Sequence, residues 1–324
     1  MVRPVLFFAP MPPIALRPSR ASPRPSGGTL PARLFARACP WSVVALLVGL
    51  PGCGDRDAPS EGPPRDEALG DRGVPADGIY ARELIFLADE GRRALVLVSR
   101  AAVSGGAASL RAAAWVDPGS GWDRAFEGSR EFAELRDPWR LFPLRPMRVA
   151  VDEEGALLRV LLPSSQGDIR LSPDTPPTEL AAGNARASMR GASMVTPDDS
   201  IVGTLVDGMF ASSASDSAGP ALVGVLTSTG GPIVVIVGSD QGAPLLVADV
   251  GGDALVESQV RLEPGMTQGE WRIVSADTSI AGTLQTGAEA PAEAGGWPPA
   301  AVSGRIALAG TLYPLAGVLR APTP

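Results

Sequence analysis

The sequence predicts an all-β protein, two antiparallel barrels or sandwiches in tandem with little helix. Three observations carry that prediction. From Tyr80 onward the chain is a succession of apolar runs, each five to nine residues long and rich in Val, Leu and Ile. Gly, Pro, Asp or Ser closes nearly every run, which is how strands are punctuated. Amphipathic stretches of helical length are scarce, and closely spaced antiparallel strands favour barrels or sandwiches over a parallel α/β sheet. A β-propeller is the runner-up architecture, disfavoured because no motif recurs at blade length.

The elements follow in order. Strands are expected at 81–88 (ARELIFLA), 93–99, 110–116, 146–151, 156–162 and 168–172, then at 186–195, 200–206, 221–228, 232–238, 244–250, 254–262, 270–275, 278–285, 302–309 and 311–319. A tight turn at Asp152 to Gly155 joins one pair. The single helix candidate is 127–136 (EGSREFAELR), where Phe132 and Leu135 sit three apart and Pro138 follows. The Pro-rich stretch PDTPPTELAAGN (173–184) reads as the boundary between a first barrel, 80–178, and a second, 179–324.

Composition narrows the chemistry. The chain has no histidine, and all 28 of its basic residues are arginine. A Ser-His-Asp triad, a His-ligated metal site and a histidine acid/base pair are therefore excluded. Its two cysteines, Cys39 and Cys53, both precede the strand-rich part, which can hold neither a disulfide nor a thiolate metal site. No cofactor or metal is expected. The charge is lopsided: residues 1–54 hold six arginines and no acid, whereas the chain from Cys53 onward carries a net −13. Such a balance opposes a phosphate backbone as ligand, and no nucleic-acid partner is expected.

Residues 41–50, WSVVALLVGL, are uncharged, with Arg33 and Arg37 before them and Pro51, Gly52, Cys53 and Gly54 after. Ten helical residues rise about 15 Å, half of a hydrocarbon core of roughly 30 Å, so the segment reads as a secretion signal over 31–52 within a leader of residues 1–52. Leu50, Pro51, Gly52 and Cys53 resemble the lipobox of bacterial lipoproteins, with Pro51 the atypical member. The resemblance implies that Cys53 receives a diacylglycerol and becomes the mature N-terminus, its amine then open to acylation such as palmitate. Two or three chains at about 0.8 kcal/mol per buried methylene give stable anchoring. The expected location is the cell envelope, at the periplasmic face of the outer membrane if the cell is Gram-negative, since Gly54 is not the aspartate linked with inner-membrane retention. A plain signal peptide or a buried hydrophobic strand are the alternatives. Residues 53–79, acidic and rich in Pro and Gly, read as a solvated tether.

Between Asp137 and Arg320 the order of landmarks resembles the tandem lipocalin-like family that includes carotenoid 1,2-hydratase (hydroxyneurosporene synthase) and AttH-type proteins. The stretches that carry the resemblance are DPWRLFPLRPMRVAVDEEGALLRVLLP (137–163), RASMRGASMVTPDDSIVGTLVDG (186–208), GPALVGVLTSTGGPIVVIVG (219–238) and AAVSGRIALAGTLYPLAGVLR (300–320). It implies two stacked lipocalin-like barrels with an apolar crevice between them. Of the family's Val-x-Gly and the Trp-x-Asp that follows it, itself followed by His or Arg, only Gly203 and Asp207 are kept here. Leu205 stands at the tryptophan position and Gly208 where the basic residue belongs.

Asp207 is accordingly the one candidate catalytic carboxylate, because an acid in an apolar crevice can protonate an alkene or hold a polar ligand end. Asp207-Gly208 is equally a turn dipeptide, the reading the residues favour. Asp152, Glu153 and Glu154, and likewise Asp198 with Asp199, read as solvated turns. Ser104-Gly105-Gly106 and Gly230-Gly231-Pro232 lie between strands with no helix to follow, so they are turns and not phosphate loops. Trp115, Trp122, Trp139, Trp271 and Trp297 either line a carbohydrate or lipid groove or pack the cores, packing being the readier account. Ser164, Ser165 and the run at 212–217 lack a base, so nucleophilic catalysis has no support. The sequence thus points to a lipid-anchored, noncatalytic envelope protein that binds an apolar small molecule, lipid-like or isoprenoid-like. A hydratase-like enzyme using Asp207 and a structural or partner-binding lipoprotein are the alternatives.

Overall fold

The computed structural model describes residues 77–320 except 92, 134–143, 153–154, 165–166, 183–184, 213–218, 239–242, 251–254 and 291–297. The leader, Cys53, the tether up to residue 76, Trp139 and Trp297 lie outside the described residues, while Gly78 and Ile79, at the end of the expected tether, already belong to the first strand. Every regular element among those described is a strand. The first ten are β1 (Gly78–Ala88), β2 (Ala94–Ser104), β3 (Ala107–Asp117), β4 (Asp123–Phe132), β5 (Arg148–Val151), β6 (Leu157–Ser164), β7 (Gly167–Pro173), β8 (Thr178–Ala182), β9 (Ala185–Val195) and β10 (Ser200–Ser212). They form one antiparallel sheet in the order β4-β3-β2-β1-β10-β9-β7-β6-β5, with β8 added on β9. The remaining eight close into a barrel in chain order: β11 (Leu222–Thr227), β12 (Ile233–Val237), β13 (Leu245–Asp249), β14 (Leu255–Pro264), β15 (Glu270–Ser275), β16 (Ile280–Glu289), β17 (Ala300–Leu308) and β18 (Thr311–Leu319).

The sheet is curled, not closed. Alternation along β1 shows how it buries two faces at once. Leu84, Phe86 and Ala88 enter the core on the concave side, with Leu95, Leu97, Leu110, Val160, Leu171 and Leu205. Ala81, Ile85 and Leu87 enter a second core, which the sheet's other face shares with Leu222, Val225, Val235 and Val318 on the outside of the barrel. A third core, built on Leu226, Ile236, Trp271, Ile273, Ile306 and Leu319, fills the barrel itself. Strands sandwiched between two cores are apolar on both faces, which is why β1 reads as a nearly continuous apolar run rather than an alternating one.

Three further segments differ from the expectation. Glu127–Phe132, within the expected helix 127–136, lie in β4 and pair with β3, Ala113 opposite Glu127 and Ala108 opposite Phe132. A two-residue apolar stripe stabilises a helix weakly, whereas the free edge of β3 offers a row of unpaired backbone groups. Residues 178–182, inside the stretch read as a boundary, form β8, an edge strand on β9. The strands expected at 186–195 and 200–206 are bonded into the first sheet, with β10 against β1 over ten residue pairs. The chain passes from sheet to barrel between Ser212 and Leu222, downstream of 178.

Candidate functional site

A cleft of about 580 Å³ lies where the sheet meets the barrel. The sheet contributes Leu87 from β1, Ala94 from β2, and Asp117 with the following loop to Trp122. The barrel contributes Gln285 and Thr286 from β16, Ala301 and Ser303 from β17, and Ala316 and Val318 from β18. Its walls are small and apolar because the two bodies approach backbone to backbone. A Cβ on Gly91 would come within 3.0 Å of the Ala316 Cβ, and one on Gly317 within 3.1 Å of Leu87 Cδ2. The polar side chains in the lining are Asp117, Ser120, Gln285, Thr286 and Ser303, and two of them are engaged with the barrel's own backbone. Gln285 Nε2 donates to the Gln268 carbonyl at 3.0 Å and Thr286 Oγ1 to the Gly269 carbonyl at 2.9 Å.

Asp207 lies elsewhere. It is in the middle of β10, paired with Leu84 on one side and Ser188 on the other, so the turn reading of Asp207-Gly208 does not hold. Its side chain shares the concave face with Leu205, turned from the barrel. Both its oxygens accept from Arg82, Oδ1 from Nε at 3.0 Å and Oδ2 from NH2 at 2.6 Å. Arg82 also donates to the Gly155 carbonyl at 2.9 Å, which ties the β5–β6 turn over the pair. Gly208 is a glycine for a packing reason: a Cβ there would fall 2.5 Å from Leu222 Cγ, across the sheet–barrel junction. On the same concave face Arg190 is buried, its Nη1 donating to the Leu157 carbonyl at 3.3 Å while its Nε has no acceptor among the described residues.

A second buried charge group sits in the sheet–barrel junction. Glu83, adjacent to Arg82 and so on the opposite face, is fully buried. Its carboxylate meets Arg320 at 2.5 Å and Arg100 at 3.3 Å, and accepts from the Leu222 N–H at 2.8 Å. Arg100 also donates to the Gly219 carbonyl at 3.0 Å. Burial raises the Glu83 pKa, but Arg320, Arg100 and the Leu222 amide outweigh it, so the carboxyl titrates below its ordinary value. One carboxylate thus joins β1, β2, the entry to β11 and the end of β18.

Of the other residues singled out in the sequence, Trp115 is fully buried in the junction core and Trp271 in the barrel core. Trp122 borders the cleft, with 8% of its surface exposed. Two turn bonds are present, the Gly155 N–H donating to the Asp152 carbonyl at 3.1 Å and the Thr196 N–H to that of Asp199 at 2.9 Å, while Glu153 and Glu154 lie outside the described residues. Arg82, Glu83, Arg100, Arg320 and Asp117 escape sequence reasoning. The available signal was Arg82-Glu83 itself, an opposite-charge pair inside an otherwise apolar strand, since adjacent strand residues must face two different interiors.

No family model and no curated protein matches the chain. Among solved structures it is similar to kievitone hydratase from Nectria haematococca, at 9% identity and a TM-score of 0.46 over 78% of this chain and 91% of that one. It is similar also to an AttH-like protein from Nitrosomonas europaea, at 10% identity and a TM-score of 0.46 over 75% and 94%. CghA follows at 11% identity and a TM-score of 0.40 over 76% and 89%. Likeness at this level carries no residue's role across.

Proposed function

We propose that this chain is a tethered binding protein whose junction cleft takes up an apolar small molecule, lipid-like or isoprenoid-like. The cleft carries the reading. Its volume of about 580 Å³ falls within the range of about 300–1,000 Å³ that small-molecule sites occupy, and its walls are mostly apolar with few polar groups. It also lies between two separately cored bodies, where such sites concentrate. The barrel interior, by contrast, is packed with large side chains such as Trp271 and Ile306. Asp207 stands on the other face of the sheet, engaged by Arg82, and supplies no group to the cleft.

The test is native mass spectrometry of the full chain purified without denaturant, beside an Ala301→Trp variant. Ala301 is half-buried and lines the cleft from the barrel side, so an indole there fills the space. Wild type should carry a co-purifying apolar adduct that the variant lacks. Equal adducts in both, or none in either after incubation with apolar probes, would remove the reading. The tether is a separate part of the proposal, supported by the lipobox-like run Leu50–Cys53 and the acidic segment after it. Mass spectrometry of the membrane fraction should find an acylated N-terminus at Cys53, and Cys53→Ala should release the chain; an unmodified cysteine would refute it.

A further inference from the structure

The loop that closes the cleft holds an acid that the sequence shows only as turn punctuation. Asp117 ends β3 and lines the cleft while only 5% exposed. Its Oδ1 is fixed by backbone, accepting from the Gly119 N–H at 2.7 Å and the Gly121 N–H at 3.1 Å. Gly119 and Gly121 have φ of 100° and 127°, values that side-chain-bearing residues rarely adopt, so these glycines allow the loop to turn both amides onto one oxygen. Oδ2 accepts nothing among the described residues and is not sealed from solvent. Of the other polar side chains lining the cleft, Thr286 donates to the Gly269 carbonyl and Gln285 spends one of its two N–H groups on the Gln268 carbonyl. A carboxylate nineteen-twentieths buried in the cleft wall, with one oxygen held and the other without a donor among the described residues, is short of a partner.

We propose that Asp117 Oδ2 is the polar anchor of the cleft and selects apolar molecules whose head group donates a hydrogen bond, protonated alkylamines foremost. The inference rests on the reading that the cleft binds an apolar molecule, and it adds the class. An ammonium adds the attraction of a full opposite charge to the hydrogen bond, which a neutral hydroxyl does not, and an anionic head is repelled. The net −13 of the chain from Cys53 onward favours the approach of a cation.

The experiment is calorimetric titration of the full chain with decylamine, decan-1-ol and decanoate, which share a tail and differ in the head. Decylamine should bind at least about tenfold more tightly than decanoate, with decanol between them. Asp117→Asn keeps an Oδ1 acceptor for the glycine amides and puts an N–H donor in place of Oδ2. It should erase the amine preference and bring decanoate level, while decanol changes little. Glu257→Gln, which removes an exposed charge from the barrel, should leave the order intact; if it abolishes the preference as Asp117→Asn does, surface charge and not Asp117 is responsible. Three equal affinities in wild type, or an unchanged amine preference in Asp117→Asn, overturn the role of Asp117 and leave the cleft reading standing. No binding by any probe overturns the cleft reading itself.

Discussion

Replacing Asp207 by alanine should unfold this protein far more readily than its place on a strand would suggest. The Arg82 and Asp207 side chains are 1% and 3% exposed, and the substitution leaves a guanidinium in the concave core without its carboxylate. Breaking a buried pair from one side costs about 3–5 kcal/mol, because the survivor loses its carboxylate while it stays out of water. Against a typical total of about 5–15 kcal/mol, that is a large fraction. In urea the midpoint should fall by on the order of 1–2 M, read from tryptophan fluorescence. The informative control is Arg82→Met with Asp207→Leu. Replacing both ions by apolar groups of similar size is often neutral or stabilising, so the double variant should regain most of the loss. A loss below about 1 kcal/mol in Asp207→Ala, or a double variant less stable than either single one, would refute the reasoning.

Glu83 gives a pH signature. Its folded pKa is held below the ordinary 4.5, so its contribution to stability is fully present above that value and is lost as pH falls through the folded value. Urea midpoints followed downward from pH 6 should drop below about pH 4.5 in wild type, and less steeply in Glu83→Gln; parallel curves would contradict the assignment. Asp277, on the exposed β15–β16 turn, accepts from the Ser275 and Ser279 hydroxyls, which lower its pKa to about 2. NMR titration should therefore find it ionised at pH 3, and a midpoint at its ordinary value would rule out those bonds. Gly208→Ala should cost about 1–3 kcal/mol through overpacking against Leu222, and Leu222→Ala in the same chain should relieve part of that cost. Additive losses in a double-variant cycle would show that the two positions do not touch.

Local chemistry made the strands legible, and non-local pairing decided what was not. The runs from ARELIFLA to 311–319 announce themselves because β-branched and Leu-rich segments closed by Gly, Pro and Asp are strands in nearly any context. β4 was hidden because DRAFEGSREF is an exposed edge whose order comes from β3 and not from its own alternation. Gly208 misled in another way: Asp-Gly is a turn signal, but here the glycine answers a side chain fourteen positions on, across a junction that no local window contains. The cleft was legible as an expectation of an apolar crevice between two bodies. Its acid was not, because Asp117-Pro118-Gly119 is indistinguishable in sequence from any polar turn until the fold turns it toward the barrel.

The claim that this molecule binds an apolar ligand at the junction of sheet and barrel is tested most directly by a crystal structure of the chain with decylamine. The tail should lie against Leu87, Trp122 and Val318, with the ammonium within about 3 Å of Asp117 Oδ2. A ligand seated inside the barrel, or on the concave face beside Arg82 and Asp207, would contradict the account.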